Sequence, residues 1–184
     1  MPTTKERALS AAVEVLGGEG VRALSHARVD ARAGLPAGST SNWFRTRRSL
    51  LAGIVDWIAE RERADFGHSG ISISPGPDGL IAGLCEMVEL ETGPFAVRTR
   101  ARYALFFELA SDDELAAPLR RQRHEFERWT ERVVTAAGLA ESASAARTLM
   151  ALADGLILHR LTVDPALDLR GIIERAVHGL TQPA

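Results

Sequence analysis

Four consecutive short polar side chains, Ser39 to Asn42, stand in a stretch that is rich in arginine. Six arginines lie between Arg22 and Arg48, and the only acid among them is Asp30, so six positive charges against one negative give the stretch +5. The whole chain has a net charge of −2. Asparagine can pair bidentately with adenine and arginine can bind phosphate, so the pattern suits a polyanion. Clustered arginines can equally form an ordinary solvated face, and charge alone does not decide between the two.

The elements that would position these side chains are two short helices joined by a glycine turn. Ser25 is a typical N-cap for a helix that ends at Gly34. After the turn Gly34-Leu35-Pro36, a second helix is predicted to run to about Phe44. This arrangement, over about residues 25–44, predicts a helix-turn-helix motif.

Helices are also predicted on both sides of this motif. Thr3 and Glu6 have the spacing of a capping box and start the first helix, which Gly17-Gly18 is expected to stop. Thr46 is expected to cap a longer helix that reaches about residue 66, with Leu50, Leu51, Ile54, Val55 and Ile58 as its apolar stripe.

The rest of the chain also reads as helix. Glycines and prolines break the pattern over residues 67–79, which predicts a loop. Helices are then predicted at about 80–92, 95–110, 112–138, 141–163 and 168–181. Ser111 with Glu114 repeats the capping-box pattern before the third of these. No segment shows the alternation typical of a strand, so the predicted fold class is all-α, with about nine helices.

Several function classes are disfavoured by composition and motifs. The single cysteine, Cys85, cannot form an intramolecular disulfide, and the histidines show no metal-ligand spacing, so we expect no metal and no cofactor. There is no G-x-S-x-G motif, Walker loop or dinucleotide fingerprint, so we do not expect an enzyme. No run of eighteen apolar residues and no signal peptide is found, which predicts a cytoplasmic protein without a membrane span.

The order of these landmarks resembles the N-terminal DNA-binding domain of the TetR family of transcriptional regulators. The capped first helix, the helix HARVDARAG, the turn LPAG, and then STSNWF and TRRSLL fall at the family's spacings over about residues 3–60. Ser41 stands where the family commonly has tyrosine, Pro36 where it has a serine cap, and Arg47 where it has lysine.

The resemblance implies a division of the chain into parts. Residues 1–48 would be the helix-turn-helix DNA-binding domain, 49–66 a connecting helix, 67–79 a loop, and 80–184 a helical regulatory and dimerisation domain. Helix 141–163 is apolar nearly all round and helix 168–181 has one apolar face, which favours pairing with a second copy in a four-helix bundle. We therefore expect a homodimer.

The resemblance and the residue chemistry together give candidate contacts to double-stranded DNA. In such motifs the second helix lies in the major groove and its first residues meet base edges. Ala37 and Gly38 would keep that helix start slim, and the polar residues after them would read bases. The phosphate contacts would come from Ser25 and nearby arginines. The full candidate set is Ser25, His26, Arg28, Ala37, Gly38, Ser39, Thr40, Ser41, Asn42, Trp43, Arg45 and Arg47.

A pocket for a small-molecule effector is expected in the C-terminal part. Gln122 is a polar member of the apolar stripe on helix 112–138 and needs a partner if it is buried. The candidate lining residues are Met87, Arg102, Tyr103, Phe106, Gln122, Phe126, Trp129, Asp154 and His159, each of which could equally be plain core. Arg98 and Arg102 are one turn apart and could face an anionic ligand or bridge to acids of the fourth helix, such as Asp56 or Glu60.

The leading hypothesis is a transcriptional repressor that a small-molecule effector releases from a palindromic operator. The effector step is implied by the resemblance. The alternatives are a helical protein-interaction module whose N-terminal motif no longer binds DNA, and an enzyme.

Overall fold

The computed structural model describes residues 2–68, 74–139 and 141–181. The regular structure in these ranges is helical and includes no strand, which confirms the all-α fold class. The helices are α1 (Thr4–Glu19), α2 (His26–Ala33), α3 (Ser39–Trp43), α4 (Arg47–His68), α5 (Pro77–Thr92), α6 (Ala96–Glu108), α7 (Asp113–Ala136), α8 (Ser142–Thr162) and α9 (Arg170–Thr181), and a single 3₁₀ turn, Val21–Ala23, lies between α1 and α2. Within the described ranges, none of these helices combines the length and apolarity that crossing a bilayer requires.

The chain divides into two compact units. The first contains Met1–His68 and Ala96–Gln122, and the second contains Ser69–Phe95 and Arg123–Ala184. In the first unit α1 is central, because it packs against α2, α4 and α6. Its core includes Leu16, Val29, Leu50, Ile54, Ile58 and Leu105, all nearly inaccessible to solvent. Helix α6 thus belongs with the helix-turn-helix unit, although the sequence placed it in the regulatory part.

The second unit is built on contacts among α5, α8 and α9. Its buried side chains include Leu80, Val88, Leu149, Ile157, Ile173 and Val177. Ile173 and Val177 lie one turn apart on α9, which is the apolar face that the sequence predicts for that helix.

Helix α1 begins as predicted but ends later than predicted. The Thr3 hydroxyl accepts from the Glu6 amide, and the Glu6 carboxylate accepts from the Thr3 amide, so the capping box is confirmed. The prediction that Gly17-Gly18 stops the helix is wrong, because α1 continues to Glu19 and is capped at Gly20, whose φ is 85°. Gly17 serves packing instead: a Cβ there would lie 2.0 Å from the Val97 carbonyl oxygen of α6.

The later helix ends show the same mixture of agreement and correction. The Thr46 hydroxyl accepts from the Ser49 amide at 3.0 Å, which confirms the predicted cap of α4. Helix α4 continues to His68, and α5 begins at Pro77, a residue type preferred in the first helical turn. The two ends of the expected 67–79 loop are therefore helical, and residues 69–73 lie outside the described ones.

The predicted capping box at Ser111 is wrong. The Asp112 carboxylate accepts from the Leu115 amide at 3.0 Å, so Asp112 caps α7. Aspartate is as good a cap as serine, and its carboxylate also accepts from Arg48. The bond from Arg48 therefore favours Asp112 over Ser111 as the N-cap of α7.

Candidate nucleic-acid interface

The two helices of the motif are joined by a turn with two left-handed residues. The Ser25 hydroxyl accepts from the Arg28 amide at 3.3 Å and so caps α2. Gly34 has φ 61° at the end of α2, and Gly38 has φ 89° just before α3. Glycine is the residue that adopts this conformation without strain. Helix α3, which the sequence predicts to meet base edges, begins at Ser39, after Ala37 and Gly38, and is only five residues long.

Asp30 is the residue that ties α3 to α2. It is 3% exposed, and its carboxylate accepts from the Gly38 amide at 2.8 Å, from the Thr40 amide at 2.7 Å and from the Thr40 hydroxyl. Burial alone would raise the pKa of the Asp30 carboxyl. The bonds from Thr40 and Gly38 outweigh burial, so the pKa lies below its ordinary value of 3.8. The carboxylate is therefore charged at neutral pH.

The candidate readers differ in what their side chains can reach. Thr40 is fully buried and bonded to Asp30, so its side chain is turned away from any ligand of this surface. The hydroxyls of Ser39 and Ser41 donate to the carbonyls of Pro36 and Gly38, at 2.6 and 2.9 Å. Asn42 and Trp43 are exposed, Trp43 by 56%, as are Ala37 and Gly38 beside them.

His26 also has an internal role. Its Nε2 lies 2.6 Å from the carbonyl oxygen of Phe44, which can only accept, so Nε2 carries the proton and donates. Phe44 is 6% exposed and follows α3 directly. This bond joins the start of α2 to the end of α3.

The arginines around the motif are mostly engaged inside the protein. Arg28 pairs with Glu19 of α1, and Arg32 pairs with Glu19 at 2.7 Å. Arg48 pairs with Asp112 and with Glu114. The positive charge that the sequence places here is thus offset by acids from outside the stretch.

Arg47, a candidate phosphate contact, donates to the Leu24 and Val21 carbonyls at 2.6 and 2.8 Å and holds the 3₁₀ turn in place. Arg22 and Arg45 are exposed, and neither guanidinium group forms a hydrogen bond or ion pair with another described residue. Arg45 was a candidate from the sequence, whereas Arg22 was counted only in the charge. These two guanidinium groups are free to meet an anion.

The candidate effector residues are distributed over both units. Arg102, Tyr103, Phe106 and Gln122 belong to the first, and Met87, Phe126, Trp129, Asp154 and His159 belong to the second. A cavity of about 420 Å³ in the first unit is lined by none of them, but by α1, α2 and α4, including Arg7, Trp57 and Arg61. No cluster that could hold a metal ion is found among the described residues.

Arg98 and Arg102 bridge to α4, the helix named from the sequence, but to other acids. Arg102 lies 2.7 Å from Glu62, and Arg98 lies 2.5 Å from Asp65, rather than near Asp56 or Glu60. Asp56 and Glu60 are exposed on α4, whereas Glu62 is buried. Arg102 is therefore held in an internal ion pair.

Within the second unit, some candidate residues do lie together. The rings of Phe126 and Trp129 stack with centroids 5.4 Å apart. Asp154 on α8 pairs with Arg123 on α7. His159 is exposed on α8, because the helix turns it away from the buried Leu156 and Ile157. In the first unit, Gln122 is 7% exposed and its Oε1 has no hydrogen-bond partner among the described residues.

Comparison with known proteins adds evidence about ancestry. A family model described as "Tetracyclin repressor-like, C-terminal domain" matches residues 75–183, which is more than half of the chain. No curated protein matches the sequence.

Solved structures share the fold over the full length. A putative TetR-family transcriptional regulator from Rhodococcus sp. is 20% identical, with a TM-score of 0.76 over 97% of this chain and 99% of that one. A transcriptional regulator from Rhodococcus sp. Rha1 is 24% identical, with a TM-score of 0.73 over 97% and 94%. The multidrug binding protein EbrR, complexed with imidazole, is 25% identical, with a TM-score of 0.66 over 100% and 98%. With the family model matched over more than half of its length, the chain belongs to the TetR family of transcriptional regulators.

Proposed function

We propose that this protein is a homodimeric transcriptional repressor that binds a palindromic operator through α2 and α3 and is released by a small-molecule effector. The observation that carries the proposal is the solvent-facing edge of α3. Asn42 and Trp43 are exposed there, as are Ala37 and Gly38 just before the helix, and Asp30 and His26 bond the two ends of this segment to α2. A short helix that starts with small residues and is held to its neighbour at both ends can approach the base edges in the DNA major groove.

Base contacts and phosphate contacts would be made by different residues. Asn42 would read a base edge by bidentate hydrogen bonding, and Trp43 would pack against a sugar or a thymine methyl. Arg22 and Arg45, which have no internal partner, would hold phosphates together with the amides at the capped start of α2. Thr40, His26 and Arg47 would keep the motif in shape.

Two copies of the chain would present two reading helices to two half-sites. In two-fold helix-turn-helix dimers, half-sites lie about 34–36 Å apart or at multiples of that distance. Leu158 on α8 and Val163 just after it are large apolar side chains that remain 44% and 68% exposed, which supports pairing between copies. Palindromic operators are the natural partners of such a dimer.

The effector is proposed to bind the regulatory helices. EbrR, which shares the fold, is described as a multidrug binding protein, which supports a small organic molecule as the effector class. The stacked pair Phe126 and Trp129, with Met87 and Asp154 in the same unit, offers apolar surface and one acid. By linkage, a ligand that releases DNA must bind the DNA-incompetent state more tightly, and DNA must weaken ligand binding equally.

The experiment is selection and sequencing of genomic DNA fragments retained by the purified protein, followed by titration of the selected fragment. We expect one palindromic sequence to be enriched. The affinity should fall steeply with salt, by close to one logarithmic unit per phosphate contact for each logarithmic unit of salt. A flat salt dependence, or no enriched sequence, would contradict DNA binding and leave a protein-interaction module.

Two single substitutions separate the two kinds of contact. Asn42→Ala should relax the preference at one base pair of each half-site, at a cost of about tenfold in operator affinity, with an unchanged salt slope. Arg45→Ala should weaken binding to all sequences and reduce the salt slope by about one per protomer. Identical effects of the two variants would contradict the proposed roles.

A further inference from the structure

We infer that Asp30 is the positioning residue that gives this protein its sequence discrimination, an inference that rests on the proposed function. Helix α3 is too short to hold its own shape, since isolated helices below about twelve residues are marginal in water. It has no side-chain cap of its own, because its N-cap residue is Gly38. The buried carboxylate of Asp30, on the neighbouring helix, takes the place of that cap.

The bonds of Asp30 continue directly to the reading residues. Asp30 accepts from the Gly38 amide, and the Gly38 carbonyl in turn accepts from the Asn42 amide at 3.1 Å. Asp30 accepts from the Thr40 amide and hydroxyl, and the Thr40 carbonyl accepts from the Phe44 amide at 2.9 Å. Within the exposed edge, Gly38 is thus one hydrogen bond and Asn42 two hydrogen bonds away from one buried carboxylate.

The neutral amide of asparagine cannot replace this carboxylate. The site offers three donors, and an ionised carboxylate is an acceptor only. The amide of an asparagine side chain would bring two donors of its own, so at least one would face another donor in a buried space. The start of α3 would have to move to relieve this.

Such a movement affects base contacts more than phosphate contacts. Bidentate base pairing depends on distance and angle, whereas a phosphate contact made by a long arginine tolerates a shift of its backbone. Arg22 and Arg45 lie outside α3, and neither bonds to Asp30. Loss of the carboxylate should therefore lower specific binding and spare non-specific binding.

The test compares Asp30→Asn with Glu60→Gln, a matched loss of one negative charge at an exposed position of α4. The affinity of each full-length variant is measured for the selected operator and for a mixed-sequence duplex of equal length. We expect Asp30→Asn to lower the ratio of the two affinities about tenfold or more, with the mixed-sequence affinity within about twofold of the parent. Glu60→Gln should leave the ratio unchanged.

A second variant covers the case in which Asp30→Asn fails to fold. Thr40→Val removes the hydroxyl donor and keeps the shape of the side chain. The hydrogen bonds from the Gly38 and Thr40 backbone amides to Asp30 stay in place. It should lower the ratio by a smaller factor, about threefold, with faster hydrogen exchange at the Asn42 amide than in the parent.

The inference is overturned if the folded variants keep the parent's ratio of operator affinity to mixed-sequence affinity. This includes the case in which both affinities fall in equal proportion, as overall destabilisation would produce. A parent protein that prefers no sequence at all is a different result. In that case the proposed function itself is wrong.

Discussion

At the scale of single residues, Glu19 limits the charge that the motif can offer to an anion. Its carboxylate pairs with Arg28 and lies 2.7 Å from Arg32, although Arg28 remains 56% exposed. A phosphate would have to compete with Glu19 for the same guanidinium group. If Arg28 contacts DNA as the sequence predicts, Glu19 would thus weaken the electrostatic, sequence-independent part of the proposed DNA binding.

Glu19→Gln should therefore strengthen DNA binding. Removing one negative charge beside Arg28 and Arg32 should raise the affinity for any duplex by about twofold to fivefold per protomer and make the salt dependence steeper. Titrations at several salt concentrations measure both quantities. Glu60→Gln, at an exposed position on α4, is the charge control, and an equal gain there would show that only net charge matters.

The candidate interface was partly predictable at this scale. Asn42 and Trp43, two of the candidates from the sequence, are exposed, and the caps at Ser25 and Thr46 depend only on local spacing. The burial of Thr40 and its bond to Asp30 depend on how α2 and α3 cross. An aspartate in a short helix otherwise rich in alanine and arginine was the available signal for that bond, and it was counted only as a charge.

At the scale of elements, the close approach of α1 and α6 depends on Gly17. A Cβ at this position would lie 2.0 Å from the Val97 carbonyl oxygen, and the Arg100 side chain donates to the Gly17 carbonyl at 3.1 Å. The clash would be with backbone rather than with a flexible side chain. The two helices would therefore have to separate.

Gly17→Ala and Gly18→Ala form a matched pair one residue apart in α1. Gly17→Ala should lower the free energy of unfolding by about 1 to 3 kcal/mol because of overpacking. Gly18 has nothing within 4 Å of its would-be Cβ, so Gly18→Ala should raise the stability by about 0.5 to 1 kcal/mol. Urea unfolding measures both, and a similar gain from both substitutions would contradict the tight α1–α6 contact.

The same glycine shows why helix ends were harder to predict than helices. Gly17-Gly18 has the sequence pattern of a helix stop, yet α1 continues to Glu19. Gly17 is present because any side chain there would prevent the close packing of α1 on α6. Contacts between elements distant in sequence cannot be read from local propensity. The helical class and the approximate position of each described helix depend mainly on periodicity, and these were predicted correctly.

At the scale of the whole molecule, its stability should depend on a few carboxylates that work only when they are ionised. The bonds from Thr40 and Gly38, acting against burial, lower the pKa of Asp30. The Arg48 side chain and the Leu115 amide lower the pKa of Asp112. The Thr3 amide and hydroxyl lower the pKa of Glu6. These groups lie in the first unit, in the motif and at two helix starts.

A lowered folded-state pKa fixes the direction of the pH effect. The unfolded chain binds protons more readily at these sites, so their contribution is fully present above the ordinary carboxyl pKa, 3.8 for aspartate and 4.5 for glutamate. It is lost as the pH falls through the lowered folded-state values. We expect the free energy of unfolding to change little from these groups near neutral pH and to fall as the medium becomes acidic.

Asp30→Asn tests whether Asp30 dominates this loss of stability in acid. The variant should be less stable than the parent at neutral pH, because its side chain cannot accept all three donors, and its stability should fall less steeply below the ordinary aspartate pKa. The two curves should converge in acid, where the parent's carboxyl is protonated as well. Urea unfolding at a series of pH values measures the free energy of unfolding of both proteins. If the two curves ran parallel below the ordinary aspartate pKa, Asp30 would have the same affinity for protons in the folded and unfolded chain.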